Sequence, residues 1–193
     1  MRLLLLIGLV MLGAPVAFAQ EAEPKLRVTG HVTKARRCSA GPGATAVILD
    51  VSLRVENVGS VPAILLKSAE VHQFRFATNE SELSALGWSS ISSYASDDGT
   101  LPNVGRRPDR RFAVLQSGQA TVLRTDLRIQ PPDPLEPGAY VLQVSADPWF
   151  SPPKQTRDLQ ARWASIGQLV RAPLLSETFR FTVPEGGPLR DCP

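Results

Sequence analysis

The sequence predicts an all-β protein: an antiparallel β-sandwich of about seven to nine strands, with one short helix over about 152–170 inserted before the last strand. Three observations carry this expectation. Short apolar runs alternate with polar residues at a period of two, which puts one set of side chains on a buried sheet face and the other in water. The runs are separated by Gly, Pro, Asn and Asp punctuation. The chain carries 17 prolines, a residue that sheets confine to turns and strand ends.

The elements follow in order. Leu26, Val28, Gly30 and Val32 alternate with polar neighbours and open the series. The clearest run is Val47, Leu49, Val51, Leu53 and Val55, opposed by Asp50, Ser52, Arg54 and Glu56. Asn57-Val58-Gly59-Ser60 reads as a turn, and Val61 to Leu66 as a returning strand. His72, Phe74 and Phe76 form the next strand. Ser81 to Leu86 reads as a helical turn, and Trp88 to Tyr94 as an additional strand within the long connection from Asn79 to Arg111. Phe112 and Val114 make a short run that Ser117-Gly118 ends. Leu123, Thr125, Leu127 and Ile129 oppose Arg124, Asp126 and Arg128. Tyr140, Leu142 and Val144 make a further strand, and Phe179, Phe181 and Val183 the last.

One stretch breaks the alternation. Leu159, Trp163, Ile166 and Val170 recur at helical spacing and form one apolar stripe. Ser151 suits the N-cap, Pro152 the first helical position, and Pro173 limits continuation. Asp158 and Arg162 are spaced for an i,i+4 ion pair.

The N-terminus reads as a secretory signal peptide over residues 1–19. Arg2 gives a basic start, an apolar run follows from Leu3 to Leu12, and Ala17-Phe18-Ala19 forms a small-x-small cleavage site before Gln20. That run is shorter than the roughly 20 residues that span a bilayer. Gln20 in place of a cysteine argues against a lipoprotein anchor. The expected mature chain, 20–193, is one ordinary domain with no transmembrane segment. Its localisation is expected to be periplasmic or secreted. It retains 20 basic and 18 acidic side chains, a weak balance that gives no argument for nucleic acid. Cys38 and Cys192 are the two cysteines, and export makes a disulfide between them the expectation.

Several turns suggest a kinship. Leu53-Arg54-Val55-Glu56-Asn57-Val58-Gly59 resembles the strand-to-turn passage of bacterial immunoglobulin-like domains. Ser117-Gly118-Gln119 opens one later strand, and Leu135-Glu136-Pro137-Gly138-Ala139-Tyr140 opens another. This order, over roughly residues 45–147, is similar to the bacterial intracellular proteinase inhibitor domain. The resemblance implies an immunoglobulin-like sandwich, with proteinase inhibition as one activity to test. The long arginine-rich connection departs from that family, and no inhibitory residue carries over.

The candidate chemistry is sparse. His31 and His72 lack metal-ligand spacing, and there is no G-x-S-x-G elbow, so no metal, cofactor or catalytic residue is assigned. Asp97-Asp98-Gly99 reads as an acidic turn, with too few oxygen ligands for a calcium loop. Trp88, Trp149 and Trp163 suit packing, although three tryptophans can also build a sugar-stacking surface. Asn79-Glu80-Ser81 is a glycosylation sequon. The most distinctive cluster is Arg106, Arg107, Arg110 and Arg111 around Asp109, because guanidinium forks match carboxylate and phosphate groups. The expectation is therefore an exported, non-enzymatic protein that binds a macromolecule, a protein or an envelope glycan, through that loop. The alternatives are a proteinase inhibitor and a carbohydrate-binding module or hydrolase.

Overall fold

The computed structural model describes residues 23–67, 70–91, 104–131, 135–147, 153–185 and 189–192. The expected leader, Asp97-Asp98-Gly99, Trp149 and the Ser151-Pro152 cap lie outside the described residues. The fold is mostly β, with several antiparallel sheets and two helices. Each alternating run forms a strand. Strands β1 (Leu26–Gly41) and β2 (Ala44–Asn57) make a hairpin about Pro42-Gly43, with Gly41 and Gly43 both at positive φ. Thr33 is an extra residue at a register slip in β1, and its hydroxyl donates to the Asp50 carbonyl. Strand β7 (Ala120–Ile129) pairs with the other side of β2, so the first sheet runs β1-β2-β7.

The second sheet centres on β8 (Gly138–Asp147), which pairs with β4 (Glu70–Ala77). A two-residue strand, β5 (Ser89–Ser90), lies beyond β4 and falls within the expected strand after Trp88. Along the other side of β8 run β10 (Leu174–Leu175) and β11 (Phe179–Val183). The third sheet is small: β6 (Phe112–Leu115), β3 (Ala63–Leu66) and β9 (Gln168–Leu169). The inner faces of the first and second sheets share one core, built from Leu49, Leu53 and Leu127 on one side and Phe74, Leu142 and Phe181 on the other.

Three expectations need correction. The strand after Asn57 does not return beside β2. It enters the third sheet and pairs with β6. Nor is the pairing antiparallel throughout, because β3 and β9 run parallel. The helix is also shorter than 152–170. Helix α2 covers Pro153–Trp163, and three strands follow it. The Ile166 and Gly167 amides both donate to the Trp163 carbonyl, which turns the chain out of the helix. Gly167 then passes so close to β3 that a Cβ there would stand 2.7 Å from the Pro62 carbonyl oxygen. Pairing of β9 with β3 takes the place of a further helical turn. Ile166 still packs beneath α2, while Val170 joins the main core from an extended segment.

The passage from β2 to β3 is the sharpest feature. Strands β2 and β7 pair up to Glu56↔Ala120, and β3 and β6 resume at Ala63↔Leu115. Six residues (57–62) therefore face four (116–119) across the break. Asn57, fully buried, fills the mismatch. Its Nδ2 donates to the carbonyls of Val61 (2.8 Å) and Leu115 (2.9 Å), and its Oδ1 accepts from Gly59 N–H (3.0 Å). Its backbone bonds Gln119 and Gly118. Asn57→Ala removes the donor of the Val61 and Leu115 carbonyls, each worth about 1–3 kcal/mol when buried unpaired, while Gly59 N–H keeps the Lys25 carbonyl as acceptor. We expect a loss of about 3 kcal/mol in urea unfolding; a loss near zero would mean that water substitutes for the amide.

Cys38 and Cys192 form a disulfide across 154 residues of sequence. The tail lies along β1: Ser39 N–H donates to the Arg190 carbonyl (2.8 Å), and Cys192 N–H to the Ser39 carbonyl (3.0 Å). Replacing both cysteines by serine should cost about 3 kcal/mol in the same assay. Amide exchange at Ser39 should rise well before global unfolding, a local signature that separates tail release from general weakening.

Candidate functional site

The arginine cluster sits on a segment fastened at both ends. Helix α2 buries Leu159 and Trp163 against Ile64, Phe112 and Leu169 of the third sheet. At the near end, Trp163 Nε1 donates to the Gly105 carbonyl (3.3 Å), and Arg162 Nη1 to the Val104 carbonyl (2.5 Å). At the far end, Lys67 N–H donates to the Arg111 carbonyl (2.8 Å), which ties the segment to the end of β3. The Phe112 ring meets the Trp163 ring edge-to-face, with centroids 4.9 Å apart. Both ends of the segment therefore rest on one aromatic pair.

The four arginines divide into two roles. Arg111 turns inward on its own segment: its backbone N–H, Nε and Nη2 all donate to the Asp109 carboxylate. These bonds hold the Asp109 carboxyl below the usual aspartate range, through the Arg111 side chain first and its backbone N–H second. Asp109 correspondingly raises the Arg111 guanidinium. Arg106, Arg107 and Arg110 are exposed, and none forms an ion pair among the described residues. Asp109 is thus bonded to Arg111, with the Arg110 charge a minor further influence on it, and Arg106, Arg107 and Arg110 make no ion pair among the described residues.

Arg162 and Trp163 are the holders that sequence reasoning missed. The i,i+4 spacing pointed Arg162 at Asp158, but no ion pair joins them among the described residues. The guanidinium instead binds the Val104 carbonyl, 58 residues away in sequence. Trp163 was legible as core, whereas its carbonyl partner was not.

The other candidates separate. His31 lies on the solvent face of the first sheet, opposite Ser52, while His72 lies on β4 in the second. No group of three metal-ligating side chains occurs among the described residues. Asp50 and Asp126 stand opposite each other on the first sheet. Arg36 engages Asp50 at 2.6 Å, and the shallow depression around the pair has no Phe, Tyr or Trp in its lining. Trp163 is fully buried and unavailable to a sugar. Trp88 is partly exposed, with the Arg75 guanidinium 4.9 Å above its ring. Asn79 caps α1 (Glu80–Ala85), its Oδ1 accepting from Glu82 N–H at 2.9 Å. A cleft of about 340 Å³ beside the start of β1 has a mixed lining, with Leu26, Val28 and Leu174 beside Glu23, Gln160 and Arg171. No protein-family model matches the chain, and no curated protein matches it significantly.

The Asp109–Arg111 clasp has a definite pH sense. A carboxyl held low in the folded state contributes above the ordinary aspartate range and loses that contribution as pH falls through its lowered pKa. By NMR titration, the Asp109 carboxyl should protonate at lower pH than in an unfolded peptide of the same sequence. The Arg111 Nε–H signal should move with it. Titration at the ordinary value would mean that the clasp is open in solution.

Proposed function

We propose that this chain is an exported, non-enzymatic binding protein of the immunoglobulin-like sandwich type that engages an acidic macromolecule, a protein or an envelope glycan. The carrying observation is that Arg106, Arg107 and Arg110 are exposed and form no ion pair among the described residues, on a segment fastened at both ends. Arginine offers paired N–H groups that match carboxylate, sulfate and phosphate oxygens. A segment already ordered loses less conformational entropy on binding than a floppy one. The affinity is electrostatic in large part and weakens with salt. Export is supported by the leader pattern and by the Cys38–Cys192 disulfide, a bond that persists in oxidising compartments. No helix among the described residues is long and apolar enough to cross a membrane.

The test replaces Arg106, Arg107 and Arg110 together by serine and leaves Arg111 to hold Asp109. Heparin serves as the anionic probe. The variant should elute at markedly lower salt than the parent, with an unchanged melting temperature because all three side chains are exposed. Equal retention would remove the segment from consideration as the binding site.

A further inference from the structure

Among the described residues, strand β7 closes the first sheet with an open edge. Its backbone direction follows from its neighbours. Asn57 N–H donates to the Gln119 carbonyl, so the odd-numbered residues of β2 point their backbone groups at β7. The even-numbered ones point at β1, as the Thr33–Asp50 bond shows. By the unbroken register of β2 with β7, Ala120, Val122, Arg124, Asp126 and Arg128 direct their N–H and C=O groups away from the sheet. Strand β7 pairs with β2 alone among the described residues. It has ten residues, no proline, no glycine and no register slip. Val122 on this strand is 51% exposed. The opposite edge, on β1, is broken by its register slip, and both Glu177 and the tail bond to it. Proteins usually blunt a long open edge by such means.

We infer that β7 pairs antiparallel with β7 of a second copy, about a two-fold axis at Thr125, and so extends the first sheet from three strands to six. The side-chain order selects this register. Centred on Thr125, each Arg124 stands opposite the other copy's Asp126, Leu123 faces Leu127 on the core side, and Val122 faces Arg128. The two nearest registers that keep the same faces together set Arg124 against Arg124 or Asp126 against Asp126. Like charges directly opposite are unfavourable, whereas opposite charges stabilise a cross-strand pair. The occupant is thus written in the strand itself, since alternating signs about a central residue are self-complementary under a two-fold axis. The surface is distinct from the arginine segment and stands independently of its function.

Sedimentation velocity of the purified protein across a concentration series should show a reversible monomer–dimer equilibrium. Arg124→Asp and Asp126→Arg each place like charges opposite one another and should each weaken dimerisation by about tenfold or more. Both side chains are exposed, so the melting temperature serves as a check on folding. An equimolar mixture of the two variants restores both charge pairs and should recover dimerisation at parental strength. A parent that stays monomeric throughout would overturn the inference. Dimers indifferent to both substitutions would overturn it too, by placing the contact elsewhere, as would a mixture that fails to recover.

Discussion

The architecture turns on the buried side chain of Asn57. Strands β2 and β3 would otherwise continue as one ribbon against β6 and β7. Two more residues on one side than on the other make that impossible, so the ribbon must bend. A bend exposes backbone groups that the ladder no longer satisfies, and in the interior such groups are costly. The Asn57 amide replaces the missing ladder, with both Nδ2 hydrogens and Oδ1 engaged. Aspartate would supply no donors, and leucine would supply nothing. The bend sends β3 and β6 away from the first sheet and makes the small third sheet a separate platform.

Helix α2 uses that platform, and magnitudes show what holds it there. Burying a tryptophan removes roughly 150–250 Å² from water, worth about 5 kcal/mol as an upper estimate. The Trp163 Nε1 bond to Gly105, at 3.3 Å, is longer than a typical N–H···O bond and adds about 1 kcal/mol at most. Packing therefore positions the helix, and the hydrogen bonds only select which loop atoms lie beside it. The arginine segment inherits its order from apolar contact several residues away. Its charged side chains play no part in keeping it folded, apart from the local Asp109–Arg111 clasp.

What the sequence discloses follows the range of each interaction. Period-two alternation is local and marks the long strands such as β2, β7 and β11, whereas the four-residue β3 and β6 are short continuous apolar runs. The two-residue β9 and β10 have no room for a pattern, and they form only because larger neighbours bring them alongside β3 and β8. Asn57-Val58-Gly59 carries ordinary surface-turn chemistry. Its burial depends on the Leu115 carbonyl, 58 residues further on, which no local signal announces. The apolar stripe of α2 runs on past the helix because Ile166 and Val170 remain buried or half-buried in other conformations, so periodicity overstates its length. Within the arginine cluster, Asp109 and Arg111 are two residues apart, but four arginines compete for one carboxylate, and composition cannot say which one wins.

The disulfide acts on an edge as much as on global stability. Ordering the four tail residues 189–192 costs about 4–8 kcal/mol in backbone entropy. The two backbone bonds to Ser39 return only about 1–3 kcal/mol net. Noncovalent contact alone therefore leaves the tail mostly free, and the Cys38–Cys192 bond tips the balance by keeping it near β1 at high effective concentration. Cover of the far end of β1 is thus conditional on oxidation, whereas the slip at Thr33 and the Glu177 bond cover its nearer part whatever the redox state. Among the described residues, strand β7 has no equivalent of any of these. The two edges of the same sheet are treated so differently that the openness of β7 needs a cause of its own, and its alternating charges are the feature that β1 lacks.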